Sequence, residues 1–407
     1  MIIPSIDLAD GKAVQLRQGR DLVLISRRDP VDLAREYNRY GEVAVIDIDA
    51  ARGTGDNLEL IRRICRVARA RVGGGIRTIE RARQVLRAGA HRIIIGTAAE
   101  PGLLSKLPSQ YVIVALDHRN GEVVDQAWTN NTGESVFQRA ARLSPYCGGF
   151  LCTFVDNEGT MRGIDPSVAD KFKSQLNHPL TVAGGVAGTS DVVSLLRFGV
   201  DVQVGMALYT EQLDLAECVV QSIDFGRKPL VPTIVQNTGG QVLMLAHSSP
   251  ESLRLALREG RGVYFSRSRG SIWTKGMTSG NAQELISCRA DCDRDTLLFT
   301  VRQTGVACHE GSYSCFGDRT HSLPLLFELL GQRKREMPAE SYSVHYFKDR
   351  SRLLRKIMEE AYEVTTAKGR AEHVWEMADL LYFLSLLAVD EGIEWQEIID
   401  ELRGRQR

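Results

Sequence analysis

The sequence predicts a multidomain protein: an N-terminal (β/α)8 barrel over residues 1–227, a small α+β domain over 228–318 and an all-α helical domain over 319–407. Three observations carry this. Short apolar runs alternate with amphipathic stretches eight times over roughly the first 225 residues, as strands wrapped by helices do. Between Cys288 and Cys315 that pattern gives way to an acidic, thiol-rich segment. From Leu323 apolar residues recur at three-four spacing, the mark of packed helices.

A chain of 407 residues is long enough for several proper cores. Lys plus Arg equals Asp plus Glu at 51 each, so no global charge argues for a nucleic-acid or membrane partner. An anionic substrate must then be held by local sites. Eight cysteines are scattered without a framework, which leads us to expect a reducing cytoplasm. Ile2-Ile-Pro-Ser-Ile6 is strand-like from the outset, so no signal peptide is expected. The apolar run Leu380 to Val389, broken by Ser385, is too short to span a bilayer, and a soluble protein is expected.

Candidate barrel strands fall at 2–7, 43–47, 69–73, 92–96, 111–117, 149–153, 179–183 and 201–205, with helices such as 57–68 and 189–198 between them. The region also repeats itself. Ile3 to Gly11 matches Ile113 to Gly121 at an offset of 110, as Gly74-Gly75 matches Gly184-Gly185, and Gly96 matches Gly205 at 109. Asp7 and Asp117 thereby fall at the C-terminal ends of the first and fifth strands, opposite each other on the face where barrels do chemistry. The repeated glycine loops expose backbone N–H groups suited to phosphate. Two phosphate sites flanking two carboxylates imply a long substrate phosphorylated at both ends, with one carboxylate as base and the other as acid. Taken singly, three glycines are a tight turn and an Asp at a strand end is a helix N-cap. Repetition in both halves favours the site.

With Ile3-Pro-Ser-Ile-Asp7, Gly73-Gly-Gly-Ile-Arg77, Ala115-Leu-Asp117, Trp128, Cys152-Thr153 and Gly159-Thr160, this part resembles the histidine-pathway isomerase that converts the aminoaldose ProFAR to its aminoketose. The resemblance implies Asp7 as base, Asp117 as acid, Thr153 assisting, Arg77 among the phosphate ligands and no cofactor. The paralogous cyclase barrel, fed ammonia by a glutaminase, is the alternative; Ile6-Asp7-Leu8 and Trp128 favour the isomerase. Asn120, Ala127 and Glu158 depart from the family's usual residues.

In the middle domain, strands are expected at Thr233–Gln236, Val242–Ala246, Val263–Ser266 and Leu297–Val301, with a helix from Pro250 to Gly260. Asp291, Asp293 and Asp295 would project from one face of an extended segment and repel one another unless a hard cation such as Mg²⁺ lay among them. Cys292 would point to the other face and, with Cys308 and Cys315, leave a zinc site one ligand short, as catalytic sites are. On spacing alone, an acidic turn beside buried, reduced cysteines is an equal reading. Phe265-Ser-Arg-Ser-Arg269, Trp273-Thr-Lys-Gly276 and Ala307-Cys-His-Glu-Gly311 make residues 229–317 resemble phosphoribosyl-AMP cyclohydrolase. Zinc would generate the nucleophile that opens the adenine ring. Arg267 and Arg269 would hold the substrate's phosphate, or be a solvated face. His309 would ligate, shuttle a proton or merely pack. Arg294 stands where the family usually has a small residue.

Helices are expected over Met358–Ala367, Glu372–Val389 and Trp395–Leu402. Glu360 and Glu363 share one helix face, as do Glu376 and Asp379, the latter pair beside the apolar Leu380–Leu384. Facing pairs would make a Mg²⁺ site for a polyphosphate; a single such pair is ordinarily a solvated face. With Arg333-Lys334, Ser341-Tyr-Ser343 and Ala378-Asp-Leu-Leu-Tyr382, this part resembles phosphoribosyl-ATP pyrophosphohydrolase. Together the resemblances imply three consecutive steps of histidine biosynthesis on phosphoribosylated small molecules. They also imply a homodimer, because the latter two families assemble their sites between subunits. A house-cleaning nucleotide pyrophosphatase and a non-catalytic metal scaffold are the competing readings.

Overall fold

The structure is a computed structural model that describes residues 1–126, 128–226 and 228–405. Ala127 and Arg227, the latter at the expected domain boundary, lie outside the described residues. Met1–Asp318, with Arg403 from near the chain's end, form one compact unit, and Arg319–Leu402 a second.

Eight parallel strands close the barrel: β1 (Ile2–Ala9), β2 (Val43–Asp47), β3 (Ala70–Gly73), β4 (Arg92–Ile95), β5 (Val112–Arg119), β6 (Gly149–Phe154), β7 (Leu180–Ala183) and β8 (Asp201–Val204). Each pairs with the next, and β8 returns to β1. Parallel strands are buried on both faces, which is why runs such as Val43-Ala-Val and Ile93-Ile-Ile95 are continuously apolar. Ile94, Ile113, Leu151 and Ala183 fill the interior, while Ile93, Val112 and Val114 pack outward in the main core. Helix starts combine a cap with Pro at the first turn: Asp29 before Pro30 and Asp165 before Pro166 each accept from a backbone N–H two residues on.

The repeat is visible in space. Arg71 and Thr181, 110 residues apart, meet across the N-terminal end of the barrel at 2.8 Å. Two hairpins were not expected: Lys12–Arg17 with Asp21–Ile25 extends β1, and Glu122–Asp125 with Asn130–Ser135 extends β5. They follow the two aspartate-bearing strands, one in each half. In the first hairpin Ala13 to Leu16 are buried in an unbroken run while Leu22, Val23 and Ile25 are exposed, so neither strand shows a period of two.

The middle segment builds a four-stranded sheet from β9 (Val231–Asn237), β10 (Val242–Ser248), β13 (Gln283–Ala290) and β14 (Leu297–Gln303), ordered β10-β9-β14-β13. The run Val263–Ser266 does not join it; as β11 it pairs with β12 (Ser271–Thr274) in a separate hairpin. The helix Pro250–Glu259 starts on a Ser249 capping box and ends at Gly260 with φ +67°. This segment sits on the barrel's N-terminal face. Asn38 donates to Ile286 O at 3.2 Å, Cys288 N donates to Arg39 O at 2.9 Å, and Arg258 pairs with Asp214 at 2.6 Å. One continuous buried cluster runs from Ile2 through the barrel to Val235, Leu253 and Phe299.

The second unit is helical: Leu323–Glu336, Tyr342–Lys348, Arg350–Thr366 and Arg370–Asp390, followed by the helix Trp395–Gly404 at the end of the chain. Leu330, Tyr346, Leu353, Phe383 and Leu386 form its buried core. The apolar stretch Leu380–Leu384, expected to lie in a core, buries only Phe383, and Leu381 and Leu384 are exposed. A unit of this size has too little interior to cover both sides of its longest helix. Among the described residues, no helix is long and apolar enough to cross a membrane.

Candidate functional site

The C-terminal mouth of the barrel holds a cavity of about 670 Å³. Asp7, Asp117 and Thr153 line it together with Gly74, Gly75, Arg77, Gly96, Gly184, Gly185 and Gly205, so the structure brings every proposed barrel residue to one place. Gly74 and Gly184 hold φ of +96° and +92°, and a Cβ on either would strike the carbonyl of the preceding strand's end, Asp47 O or Phe154 O. Only glycine lets these loops turn so tightly against the sheet. Arg77 is engaged here with carbonyls, donating to Ala50 O at 3.2 Å and Ala51 O at 2.6 Å.

The two aspartates differ electrostatically. Burial pushes Asp7 up to about 6, against a 3.1 Å hydrogen bond from Ser5. Burial also raises Asp117, while hydrogen bonds from Thr153 and from Trp128 Nε1, the latter at 2.7 Å, favour its anion. A third carboxyl shares the cavity. Burial, then the charges of Asp7 and Asp117, push Glu158 up to about 8. Sequence reasoning marked Glu158 only as a departure; its place five residues after Thr153, in the loop that follows β6, was the available signal. That loop meets the first hairpin, with Gln18 N donating to Glu158 O at 3.3 Å. Buried Arg139, paired with Glu134 at 2.7 Å, and Arg52 also line the cavity and were missed.

In the middle segment the acidic row is a bent connection between β13 and β14, the acidic turn of the two readings rather than the extended segment. The register Ala290↔Leu297 makes it a hairpin turn, and Arg294 at its apex holds φ +60°. Asp291, Asp293 and Asp295 nonetheless converge, each offering an oxygen within 4.8 Å of the others, through curvature rather than strand alternation. An all-carboxylate set fits a hard cation such as Mg²⁺.

Cys308 and Cys315 lie side by side. The backbone N–H of Glu310 and the Ser312 hydroxyl hold Cys308 below the usual thiol range, whereas burial and Cys308 raise Cys315. The ammonium of Lys275 stands near both sulfurs while donating to Ala307 O at 2.7 Å. Two adjacent sulfurs are soft ligands of the kind that suit Zn²⁺. Cys292, on the acidic turn, is not brought to them: among the described residues no three-ligand group includes a cysteine. The expected three-thiol set is therefore not assembled within one chain. The turn carries Cys292 outward to an exposed position. His309 is exposed, and Arg267 and Arg269 are exposed at the tip of the β11–β12 hairpin rather than on a strand face.

In the helical unit Glu360, Glu363 and Glu376 gather within 4.8 Å. Asp379 contributes its charge to Glu376 but stays outside the group. Glu360 is buried; Lys356 Nζ reaches its Oε1 at 2.6 Å, and its Oε2 has no partner. Desolvation, then the charge of Glu360, raises Glu363; desolvation, then Glu363, raises Glu376. An orphaned buried carboxylate oxygen among carboxylates fits Mg²⁺.

A cavity that gathers three carboxyls between matching glycine loops in a duplicated barrel, joined to two carboxylate-bearing segments, has the architecture of a multidomain enzyme. The chain belongs to the histidine biosynthesis protein family, whose model matches residues 1–214. Models for phosphoribosyl-AMP cyclohydrolase and phosphoribosyl-ATP pyrophosphohydrolase match residues 244–317 and 323–406. The histidine biosynthesis trifunctional protein of Saccharomyces bayanus is 38% identical over 242 residues, covering 58% of this chain and 30% of that protein. The histidine biosynthesis bifunctional protein HisIE of Thermotoga maritima is 40% identical over 195 residues, 44% of this chain and 98% of that protein. That of Escherichia coli strain K12 is 39% identical over 186 residues, 44% of this chain and 92% of that protein. The chain thus spans less than a third of the trifunctional relative's length and nearly all of the bifunctional ones.

Proposed function

We propose that this chain performs three consecutive reactions: release of pyrophosphate from phosphoribosyl-ATP by the helical unit, hydrolytic opening of the adenine ring of phosphoribosyl-AMP by the middle segment, and isomerisation of ProFAR by the barrel. The observation that carries the reading is the barrel mouth, where Asp7 and Asp117 occupy equivalent positions between two matching glycine loops. With its pKa about 6, Asp7 is mostly ionised near neutrality and removes the proton from carbon. Asp117, raised by burial, delivers a proton to the opening sugar ring, with Thr153 and Trp128 stabilising the anion it leaves. Glu158, protonated at neutral pH, is a second candidate for that acid. Backbone N–H groups at Gly74–Gly75 and Gly184–Gly185 anchor the two phosphates.

Bound Zn²⁺ would activate water for ring opening, and Mg²⁺ would neutralise substrate phosphates. Cys308 and Cys315 would hold the zinc with Cys292 of a second copy. Asp291, Asp293 and Asp295 would hold one Mg²⁺, and Glu360, Glu363 and Glu376 another. A homodimer is supported by the split thiol set and by exposed Met358, Tyr362 and Trp375 on the helical unit. Eight free cysteines suit the cytoplasm. The purified chain, given phosphoribosyl-ATP with Mg²⁺ and Zn²⁺, should release pyrophosphate and then form ProFAR and its ketose. Hydrolysis of free deoxynucleotides with no ring-opened product would instead mark a house-cleaning pyrophosphatase.

A further inference from the structure

We infer that Arg294 is a positioning residue: it locks the acidic turn to the barrel, so that the turn's affinity for a divalent cation is set by the junction between the two domains. This rests on the reading of Asp291, Asp293 and Asp295 as a Mg²⁺ site. The turn partly orders itself. Asp291 Oδ1 accepts from Asp295 N at 3.1 Å and from Thr296 N at 3.2 Å, and Thr296 Oγ1 donates to Asp295 Oδ1 at 3.0 Å. Asp293, at the tip, has no such bond among the described residues. Its neighbour Arg294 supplies the missing constraint.

Arg294 adopts the left-handed backbone that side chains other than Gly and Asn disfavour. That conformation turns its side chain out of the carboxylate group and onto the barrel. There it donates to Ser222 Oγ at 3.1 Å, at the C-terminal end of the helix Leu215–Ser222, where the helix dipole favours a cation. Ser222 is itself oriented, donating to Val219 O at 2.8 Å. Arg294 O accepts from Asp224 N at 3.1 Å, a second link from the same residue. The guanidinium also lies in the field of Asp201, at the edge of the ionic cluster around Arg71 on the barrel's N-terminal face. Upstream, β13 is pinned to the barrel through Asn38 and Arg39.

Two consequences follow. Three like charges on a free turn would spread apart, and holding the turn's apex lowers the ordering cost of gathering them round a cation. Between two carboxylates a loose guanidinium would also compete with that cation, whereas on Ser222 it does not. Removing the tie should therefore weaken metal binding more than it weakens the fold.

The test uses the full-length chain carrying Glu360→Gln, so that the helical carboxylates do not dominate, and reads Mn²⁺ binding by paramagnetic resonance. Ser222→Ala removes the acceptor without touching the turn; Arg294→Asn keeps the left-handed backbone but cannot reach. Each should raise the Mn²⁺ Kd roughly 3- to 10-fold, with Arg294→Lys in between. The Mg²⁺ concentration for half-maximal ring opening should rise in step, with kcat at saturating Mg²⁺ within about twofold, a split that a general loss of stability would not give. Asp293→Asn separates this inference from the site reading. If it abolishes binding while Ser222→Ala and Arg294→Asn leave Kd unchanged, the positioning role is wrong and the site stands. If Asp293→Asn binds Mn²⁺ normally, the site reading falls and the inference with it.

Discussion

Trp128 donates its indole N–H to Asp117 Oδ2 at 2.7 Å, and it does so from a left-handed backbone, φ +67°, with its ring against Gly19 of the first hairpin. The bond ties the turn of the second hairpin to one carboxylate and, through the ring, to the hairpin of the other half. Trp128→Phe keeps the ring but removes the donor. A hydrogen bond to a charged group contributes about 1.5–3 kcal/mol, so ProFAR isomerisation should fall roughly 10- to 100-fold. Asp117 should also hold its proton to higher pH, moving any alkaline limb of kcat upward. An unshifted limb with unchanged kcat would remove Trp128 from the acid's environment.

Asp7 has its pKa raised to about 6, and as the proposed base it must be ionised. Isomerisation should therefore fall on the acid side with a midpoint near that value, well above an ordinary carboxylate. The same shift bears on stability. A carboxyl whose folded pKa is raised contributes stability below its unfolded pKa, and loses it as pH rises through the folded one. Asp7→Asn should therefore be dead yet more stable at pH 8, by on the order of 1–3 kcal/mol for this partly open group, with little difference at pH 4. Thermal unfolding at the two pH values checks this.

Glu158, at about 8, should contribute a second limb. As it ionises it adds a second carboxylate charge, beside Asp7, to a cavity that must hold two phosphates. Activity should decline through pH 8 in the native chain, and Glu158→Gln should flatten that decline if the proton donor is Asp117. If Glu158 itself is the donor, Glu158→Gln should instead lower kcat about 100-fold or more below pH 8, leaving KM nearly unchanged.

How far the sequence reached depends on what repeats. All eight barrel strands were legible because doubly buried parallel strands are apolar runs, and the aspartates and glycine loops because duplication made each a check on the other. Glu158 was not legible as a titrating group: its shift comes from burial and from Asp7 and Asp117, which are distant in sequence. Between an extended segment and an acidic turn the sequence does not choose: alternation of Asp291, Asp293 and Asp295 resembles period two, while a left-handed Arg294 carries no sequence mark. The separation of Cys292 from Cys308 and Cys315 within one chain was not legible either. Spacing along the chain does not fix how a turn places its side chains in space.

In the helical unit, Lys356 occupies Glu360 Oε1 and leaves Oε2 to the cluster. Mg²⁺ at about 100 times its Kd should stabilise the native chain by about 2.7 kcal/mol. Glu360→Gln should lose that increment, together with pyrophosphate release, while ProFAR isomerisation persists. Lys356→Met should lower stability without Mg²⁺ by about 3–5 kcal/mol, since it strips a buried carboxylate of its partner. Equal Mg²⁺-dependent stabilisation in Glu360→Gln and the native chain would return these acids to a solvated face.

The thiol set gives the sharpest test of assembly. Cys308 and Cys315 are adjacent in one chain and Cys292 is not with them. Cys292→Ala and Cys308→Ala should each lose bound zinc and accumulate phosphoribosyl-AMP, although replacing a small side chain costs a fold only about 1–3 kcal/mol. If a second copy supplies Cys292, the defects should complement. In a two-fold dimer formed from one chain of each variant, one of the two sites regains all three thiols and the other loses two. After unfolding and refolding an equal mixture, random pairing should restore about a quarter of the native zinc and ring-opening rate. Zinc is read by elemental analysis on the refolded dimer. No recovery from a mixture shown to contain mixed dimers would place all three thiols in one chain, or Cys292 outside the site.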